Sequence, residues 1–258
     1  MVAKDTGFVL KRYDFRETSL ITALYTANFG KITGILKGFY TFKKEFSSTL
    51  EPFSLNEFIF YPKKRDIWLI SFADLVTDYD FLRLNPAKAR TAAMIFDLVD
   101  KVMLPWDKNQ EVYALLNETM TSLGTNDERK ALYLFLIKFL TLSGFKPEFN
   151  RCLHCHNELT QHFFFSVSHG GLICKQCGNS ATDTRKLNAE TVSCIRYVQN
   201  ADLPQAFRLT PTFKCIDEIF YVLREFLCYH LDFDINVPVF AKNTAGRHTR
   251  KSNAHLRR

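Results

Sequence analysis

Four cysteines are the residues of this chain whose type and spacing imply a definite chemistry. They read Cys152-Leu-His-Cys155 and, after eighteen residues, Cys174-Lys-Gln-Cys177. Two such pairs at this separation form the pattern of a site for one shared metal ion, with zinc the expected occupant. The reason is local: two intervening residues let a tight turn aim two thiolates at one point, and tetrahedral zinc takes four ligands. A full shell of protein ligands leaves no open coordination place. Cys152, Cys155, Cys174 and Cys177 are therefore expected to hold zinc for structure, not for catalysis. Disulfides are a competing use of the same residues. Met1-Val-Ala-Lys-Asp-Thr lacks the apolar core of a signal peptide, however, so a cytoplasmic chain with reduced thiols is expected. A C-x-x-C redox centre is the other competitor, and the second pair argues for a common metal instead. His154 sits beside the ligands and reads as a solvated loop residue.

Nothing else in the chain has the spacing of a reactive centre. There is no P-loop, dinucleotide fingerprint, G-x-S-x-G or H-E-x-x-H. Asp78 and Asp80, like Asp232 and Asp234, look like solvated carboxylates at element ends. The expectation is a protein that is not an enzyme, with a metal-dependent nuclease or hydrolase kept as a distant rival. Charge points elsewhere. The chain carries a net charge of +7, and residues 241–258 hold six basic residues and no acid. Residues 1–50 hold eight basic residues against four acidic ones. A basic arm behind a mildly basic N-terminal part suits a polyanion.

The elements that must position these groups follow from periodicity. Around the cysteines, Phe163–Ser168, His169-Gly170-Gly171 and Leu172-Ile173 read as a hairpin that carries the second pair back beside the first, giving a zinc ribbon. Before it, five strands are expected over residues 7–13, 19–26, 31–37, 53–61 and 65–72, with Gly34 marking a bend or bulge. Five short strands match an OB-fold barrel, with an SH3-like barrel as the alternative. The link from Gly38 to Pro52 is long enough for the helix an OB-fold places there, and it holds Tyr40, Phe42, Lys43 and Lys44. Asn85-Pro86 starts a helix that ends near Met103, ahead of Pro105. A second helix is expected from Asp107 to Leu123. A third starts at the capping box Thr125–Glu128 and shows one broad apolar face of Leu132, Phe135, Leu136 and Phe139. Further helices are expected at 188–199 and after Thr210-Pro211, with Cys194, Cys215 and Cys228 as buried free thiols. The longest apolar run, Ala131 to Ile137, is too short to span a membrane.

The expected class is thus α+β. An OB-fold β-barrel over 1–80 precedes an α-helical domain over 81–146 and 181–237, with the four-cysteine zinc ribbon inserted at 147–180. A basic, disordered tail follows at 238–258. On such a barrel the second and third strands and two loops form the binding face. Here those regions supply Arg12, Arg16, Lys31, Lys37, Lys63, Lys64 and Arg65 for phosphates. Tyr13, Phe29, Phe39, Tyr40 and Phe42 are available for stacking on bases. Arg247, Arg250 and Lys251 of the tail would add cations. An RNA-binding or transcription-associated zinc-ribbon protein is the alternative reading.

The order of parts resembles the RecO family of bacterial DNA repair proteins. Gly7-Phe-Val-Leu-Lys-Arg, Tyr25-Thr26, Gly30-Lys31-Ile, Leu36-Lys37-Gly38 and Leu50-Glu-Pro-Phe-Ser54 are similar to that family's opening. Gly144-Phe-Lys-Pro-Glu-Phe-Asn-Arg-Cys152, Phe165-Ser166, Gly170-Gly171 and Cys174 are similar to its zinc segment. The resemblance implies binding of single- and double-stranded DNA and annealing of complementary strands. With the partner RecR, it implies help to RecA in replacing single-stranded DNA-binding protein, which the family contacts through that protein's C-terminal tail. Carried over by position, it makes Lys11, Lys43 and Lys44 further DNA contacts, and it places the protein in the cytoplasm, on the nucleoid. One departure is plain: Phe39-Tyr40-Thr41-Phe42 stands where the family's link is usually strongly basic.

Overall fold

The computed structural model describes residues 2–41, 46, 48–62, 67–178 and 183–235. Its first strands are β1 (Ala3–Phe15), β2 (Ser19–Thr26), β3 (Gly30–Leu36), β4 (Leu55–Tyr61) and β5 (Trp68–Thr77). They close into a barrel in the order β1-β2-β3-β5-β4, which is OB-like. All pairings are antiparallel except β3 with β5, which touch in parallel at Gly34 and Ile35. Gly34 is explained by packing and not by a bend: a Cβ there would lie 2.3 Å from Ile70 Cδ1. Alternation fills the interior with Val9, Leu20, Leu24, Ile32, Leu36, Phe58, Phe60, Trp68 and Ile70. The helix expected in the Gly38–Pro52 link is not seen among its described residues, where Phe46 bridges Ala73 instead.

The helical part comprises α1 (Phe81–Leu84), α2 (Pro86–Val102), α3 (Gln110–Thr125) and α4 (Glu128–Leu142), then the cysteine segment, then later helices. Asn85 caps α2 by accepting from the Ala87 and Lys88 amides, as its sequence position implied. The capping box at Thr125 is corrected. Thr125 ends α3, and the cap of α4 is Asp127, which accepts from Arg129 and Lys130. The single apolar face of α4 is also corrected. Every residue from Ala131 to Leu140 is buried, so α4 is the central helix with neighbours on all sides.

The cysteine segment holds β6 (Phe163–Ser166), β7 (Gly171–Ile173), the one-turn α5 (Lys175–Gly178) and β8 (Thr184–Leu187). The expected hairpin is present, but β8 makes it a three-stranded sheet in the order β7-β6-β8. Finally come α6 (Ala189–Asn200), α7 (Leu203–Arg208) and α8 (Phe213–Leu231). The last helix is capped by Thr212 and not by Thr210. Cys194 and Cys215 are buried as expected. Cys228 is not: it is exposed beside Asp234.

The second core is continuous from the barrel's outer face through the helices into the cysteine segment. It joins Phe8, Leu10 and Tyr25 to Phe96, Phe135, Cys152 and Phe165. At the junction the Phe8 ring meets Phe96 at 5.7 Å and Tyr113 at 5.5 Å, and Phe53 meets Phe96 at 5.1 Å. None of the helices is long and apolar enough to cross a membrane, among the described residues.

Candidate metal centre and nucleic-acid face

The four cysteine sulfurs lie within 4.8 Å of one another, with Cys155 and Cys174 at 3.9 Å. Zinc–sulfur bonds of about 2.3 Å in a tetrahedron place sulfurs about 3.8 Å apart, so the cluster has the dimensions of a metal shell. Local geometry makes each knuckle. After Cys155, the chain turns back through His156 at φ 62°, whose amide donates to the Cys152 carbonyl. The Cys174 amide donates to Cys152 Sγ at 3.3 Å, and the Cys177 amide to Cys174 Sγ at 3.4 Å. Burial opposes a charge on Cys152, but the amides of Cys155, Cys174 and His154 outweigh it and bring its pKa down to about 6. Hydrogen bonding to the neighbouring Cys174 sulfur pushes Cys177 up to about 12. Four thiols crowded in this way resist shedding their protons together, a conflict that a divalent cation relieves. These residues could hold a metal ion.

Two devices fasten the centre to the helices. Arg196 of α6 donates to the carbonyls of Phe149 at 2.6 Å and Leu159 at 3.0 Å, and Gln199 donates to Pro147 at 2.9 Å. Gly171 lies so close to Glu148 that a Cβ would sit 2.6 Å from its carbonyl oxygen.

The barrel cations have different fates. Lys11 pairs with Asp97 at 3.3 Å and with Asp100 at 2.8 Å, both on α2. Lys31 reaches the same Asp100 carboxylate at 2.9 Å. A bulge at Leu10, between the Val9 and Lys11 pairings with β2, shifts the phase of β1 and points Lys11 outward beside Ala23. Both lysines therefore lock the barrel to the helices. Sequence reading missed Asp97 and Asp100 because solvated acids on a helix carry no signal of a distant partner. Arg12 is likewise engaged, with the Thr49 carbonyl at 2.7 Å and Glu51 at 3.0 Å.

Arg16 and Lys37 are exposed, and Arg16 lies over the Phe15 ring at 5.2 Å. Tyr13 and Tyr40 are exposed as well, with the Tyr40 hydroxyl donating to Asp14. The Tyr40 amide donates to Thr18, so Tyr40, Arg16 and the Lys37 end of β3 share one rim of the barrel. Phe29, expected as a stacking candidate, is half-buried against the barrel core: its ring packs on Phe60 and Trp68, each at 5.4 Å. Phe39 packs on Phe46 at 5.5 Å. Phe42, Lys43, Lys44, Lys63, Lys64, Arg65, Arg247, Arg250 and Lys251 lie outside the described residues.

The junction ion pairs carry a pH signature. Burial disfavours the Asp100 charge, but Lys11 and Lys31 outweigh it and hold the carboxyl below the usual range. A lowered folded pKa means stability that is present above the unfolded pKa and lost as pH falls through the folded one. Asp100→Asn is expected to cost roughly 1–3 kcal/mol at neutral pH, between the exposed and buried cases. In urea titrations at stepped pH, the gap from wild type should begin to close only below about pH 4. A gap that persists undiminished through that window would show that the carboxylate charge is not what holds the junction.

Comparison with known proteins converges on one family. A model described as the N-terminal part of recombination protein O matches residues 1–79, and its C-terminal counterpart matches residues 83–236. The chain belongs to the RecO family. A DNA repair protein RecO from Syntrophus aciditrophicus is 30% identical over 199 residues, covering 74% of this chain and 76% of that protein. RecO of Alkaliphilus metalliredigens is 27% identical over 90% of this chain and 95% of its own length. RecO of Desulforamulus reducens is 25% identical over 96% of this chain and 98% of its own. The two matches follow one another along residues 1–236, and the cysteine cluster lies within the C-terminal one.

Proposed function

We propose that this RecO chain is a non-enzymatic recombination mediator. It binds single- and double-stranded DNA, anneals complementary strands and, with RecR, helps load RecA onto DNA coated by single-stranded DNA-binding protein. The observation that carries the proposal is the match of both RecO family models, in order, across residues 1–79 and 83–236. The rim formed by Arg16, Lys37 and Tyr40, with Tyr13 exposed on β1, supports it, since exposed cations and rings together suit sequence-tolerant binding of unpaired strands. Cations screen phosphate repulsion so that two strands can meet, while the helical part docks proteins. Residues 1–80 then serve as the nucleic-acid unit, residues 81–146 and 181–237 as the helical unit, and 147–180 as its inserted zinc segment. Cys152, Cys155, Cys174 and Cys177 hold zinc as a structural ion, and residues 238–258 form a basic arm that adds phosphate contacts through Arg247, Arg250 and Lys251.

The test is annealing of complementary oligonucleotides coated with single-stranded DNA-binding protein, with and without RecR, beside filter binding across salt. Affinity should fall linearly on a log scale with salt. Salt-indifferent binding, or a preference for RNA over DNA in competition, would refute the reading.

A further inference from the structure

The loop that follows α2 is attached to the barrel as firmly as to the helices it connects. Pro105 lies in parallel register against Lys31, and the Trp106 amide donates to the Lys31 carbonyl at 2.8 Å. The loop so extends the sheet along the start of β3, where β5 has no pairing. The seating is close. Gly30 has φ +64°, and a Cβ on it would lie 2.1 Å from the Asp107 carbonyl oxygen. Within this pinned loop Trp106 itself is left-handed, at φ 61°. A residue with a large side chain adopts that conformation only at a cost. Leu50, Phe53 and Tyr79 share the strain, and each packs its side chain against a core in return. Trp106 does not. It is 44% exposed, and no ring, cation or hydrogen-bond partner meets its indole among the described residues. A rigid, strained and solvent-facing aromatic returns little to folding, which directs attention to a ligand.

We propose that Trp106 is a stacking platform for an unpaired nucleobase, a part of the nucleic-acid face supplied from outside the barrel. This rests on the single-strand-binding reading above. Trp106 stands at the Lys31 end of β3, and the rim of Arg16, Lys37 and Tyr40 stands at the other. Six residues of strand separate the ends by about 20 Å, a span within reach of the shorter single-strand sites on such barrels, roughly four nucleotides and up. Between them, Ile21 and Ala23 of β2 pair with Ile35 and Thr33 of β3; none is fully buried, although Ala23 packs partly against the helical core. That strip is uncharged, and Lys11 and Lys31 beside it are already neutralised by Asp97 and Asp100. Trp106 therefore grips its nucleotide through the base, with little help from phosphate.

The chain's two tryptophans make the test direct. Trp68 is buried in the barrel, so added single strand should quench the fluorescence of Trp106. In the full-length chain, Trp106→Ala should weaken oligo-dT binding about 5- to 100-fold while leaving the salt slope unaltered. Trp106→Phe should recover most of the loss, and duplex affinity should stay as in wild type. Trp106→Gly relieves the backbone strain, so it should melt no lower than wild type yet bind oligo-dT as weakly as the alanine variant. Unchanged affinity without quenching, a flattened salt slope, or an equal loss for duplex would overturn the proposal. A wild-type chain that binds no single strand would overturn both readings, whereas wild-type binding with indifferent Trp106 variants would overturn this one alone.

Discussion

Cys155→Ser is expected to abolish the proposed zinc binding by the cluster and to lower the melting transition of the helical part far more than it weakens the proposed DNA contact of the barrel. The cluster is not an appendage. Cys152 is fully buried in the same core that runs through α4, and Phe149 stacks on Phe165 at 5.4 Å beside it. Loss of one ligand frees the segment that Arg196 and Gln199 fasten to α6, and exposes that part of the core. Structural zinc contributes about 10–16 kcal/mol in isolated finger peptides. Losing even part of that is large against the roughly 5–15 kcal/mol that holds a typical domain folded. Metal content of the purified chain and far-ultraviolet melting check the prediction, and a chelator should shift wild type toward the variant. Native melting in a variant that has merely lost DNA binding would mean that the metal is not structural.

Phe96→Ala should destabilise the chain by about 3–5 kcal/mol, the range for removing a large buried ring. Phe96 is 1% exposed and meets Phe8 from β1 and Phe53 from the link, so the void opens where barrel and helices join. The expected consequence is loss of concerted unfolding as well as lower stability. In a Trp106→Phe background Trp68 fluorescence reports the barrel and far-ultraviolet dichroism reports the helices, so the two probes should coincide in urea with Phe96 present and separate for the alanine variant. Coincident curves at an unchanged midpoint would show that the two parts do not rely on this contact.

Much of the architecture was legible because its causes are local. The barrel strands announced themselves by alternation, and Ser19–Thr26 was read at its observed bounds. Asn85-Pro86 announced the start of α2 because an N-cap acts on amides two and three residues away. Errors fell where two local signals competed or where the decisive neighbour was remote. Thr125 and Asp127 both suit a cap, and only the end of α3 decided between them. The polar strand Thr184–Leu187 carries no apolar alternation and exists because β6 offers it an edge. The helical face of Cys228 continues the apolar pattern of α8 but reaches its open end, where Asp234 and solvent meet it.

The sequence by itself determined the cysteine cluster and the succession of barrel, helices and cysteine segment, since turns, caps and periodicity act over a few residues. Family resemblance was likewise carried by short runs that keep their order along the chain. Only the tertiary structure decided which basic residues are free. Lys11 and Lys31 are as cationic in sequence as Lys37, yet both are paired with Asp100, 69 positions beyond Lys31, and Lys11 with Asp97 as well. It also decided which rings face water, packing a half-buried Phe29 against the barrel core and holding Trp106 out from a loop that sequence marks only as the end of a helix. The reason is physical. Residue type sets what a group can do, but the charge or the apolar surface placed against it comes from segments far along the chain.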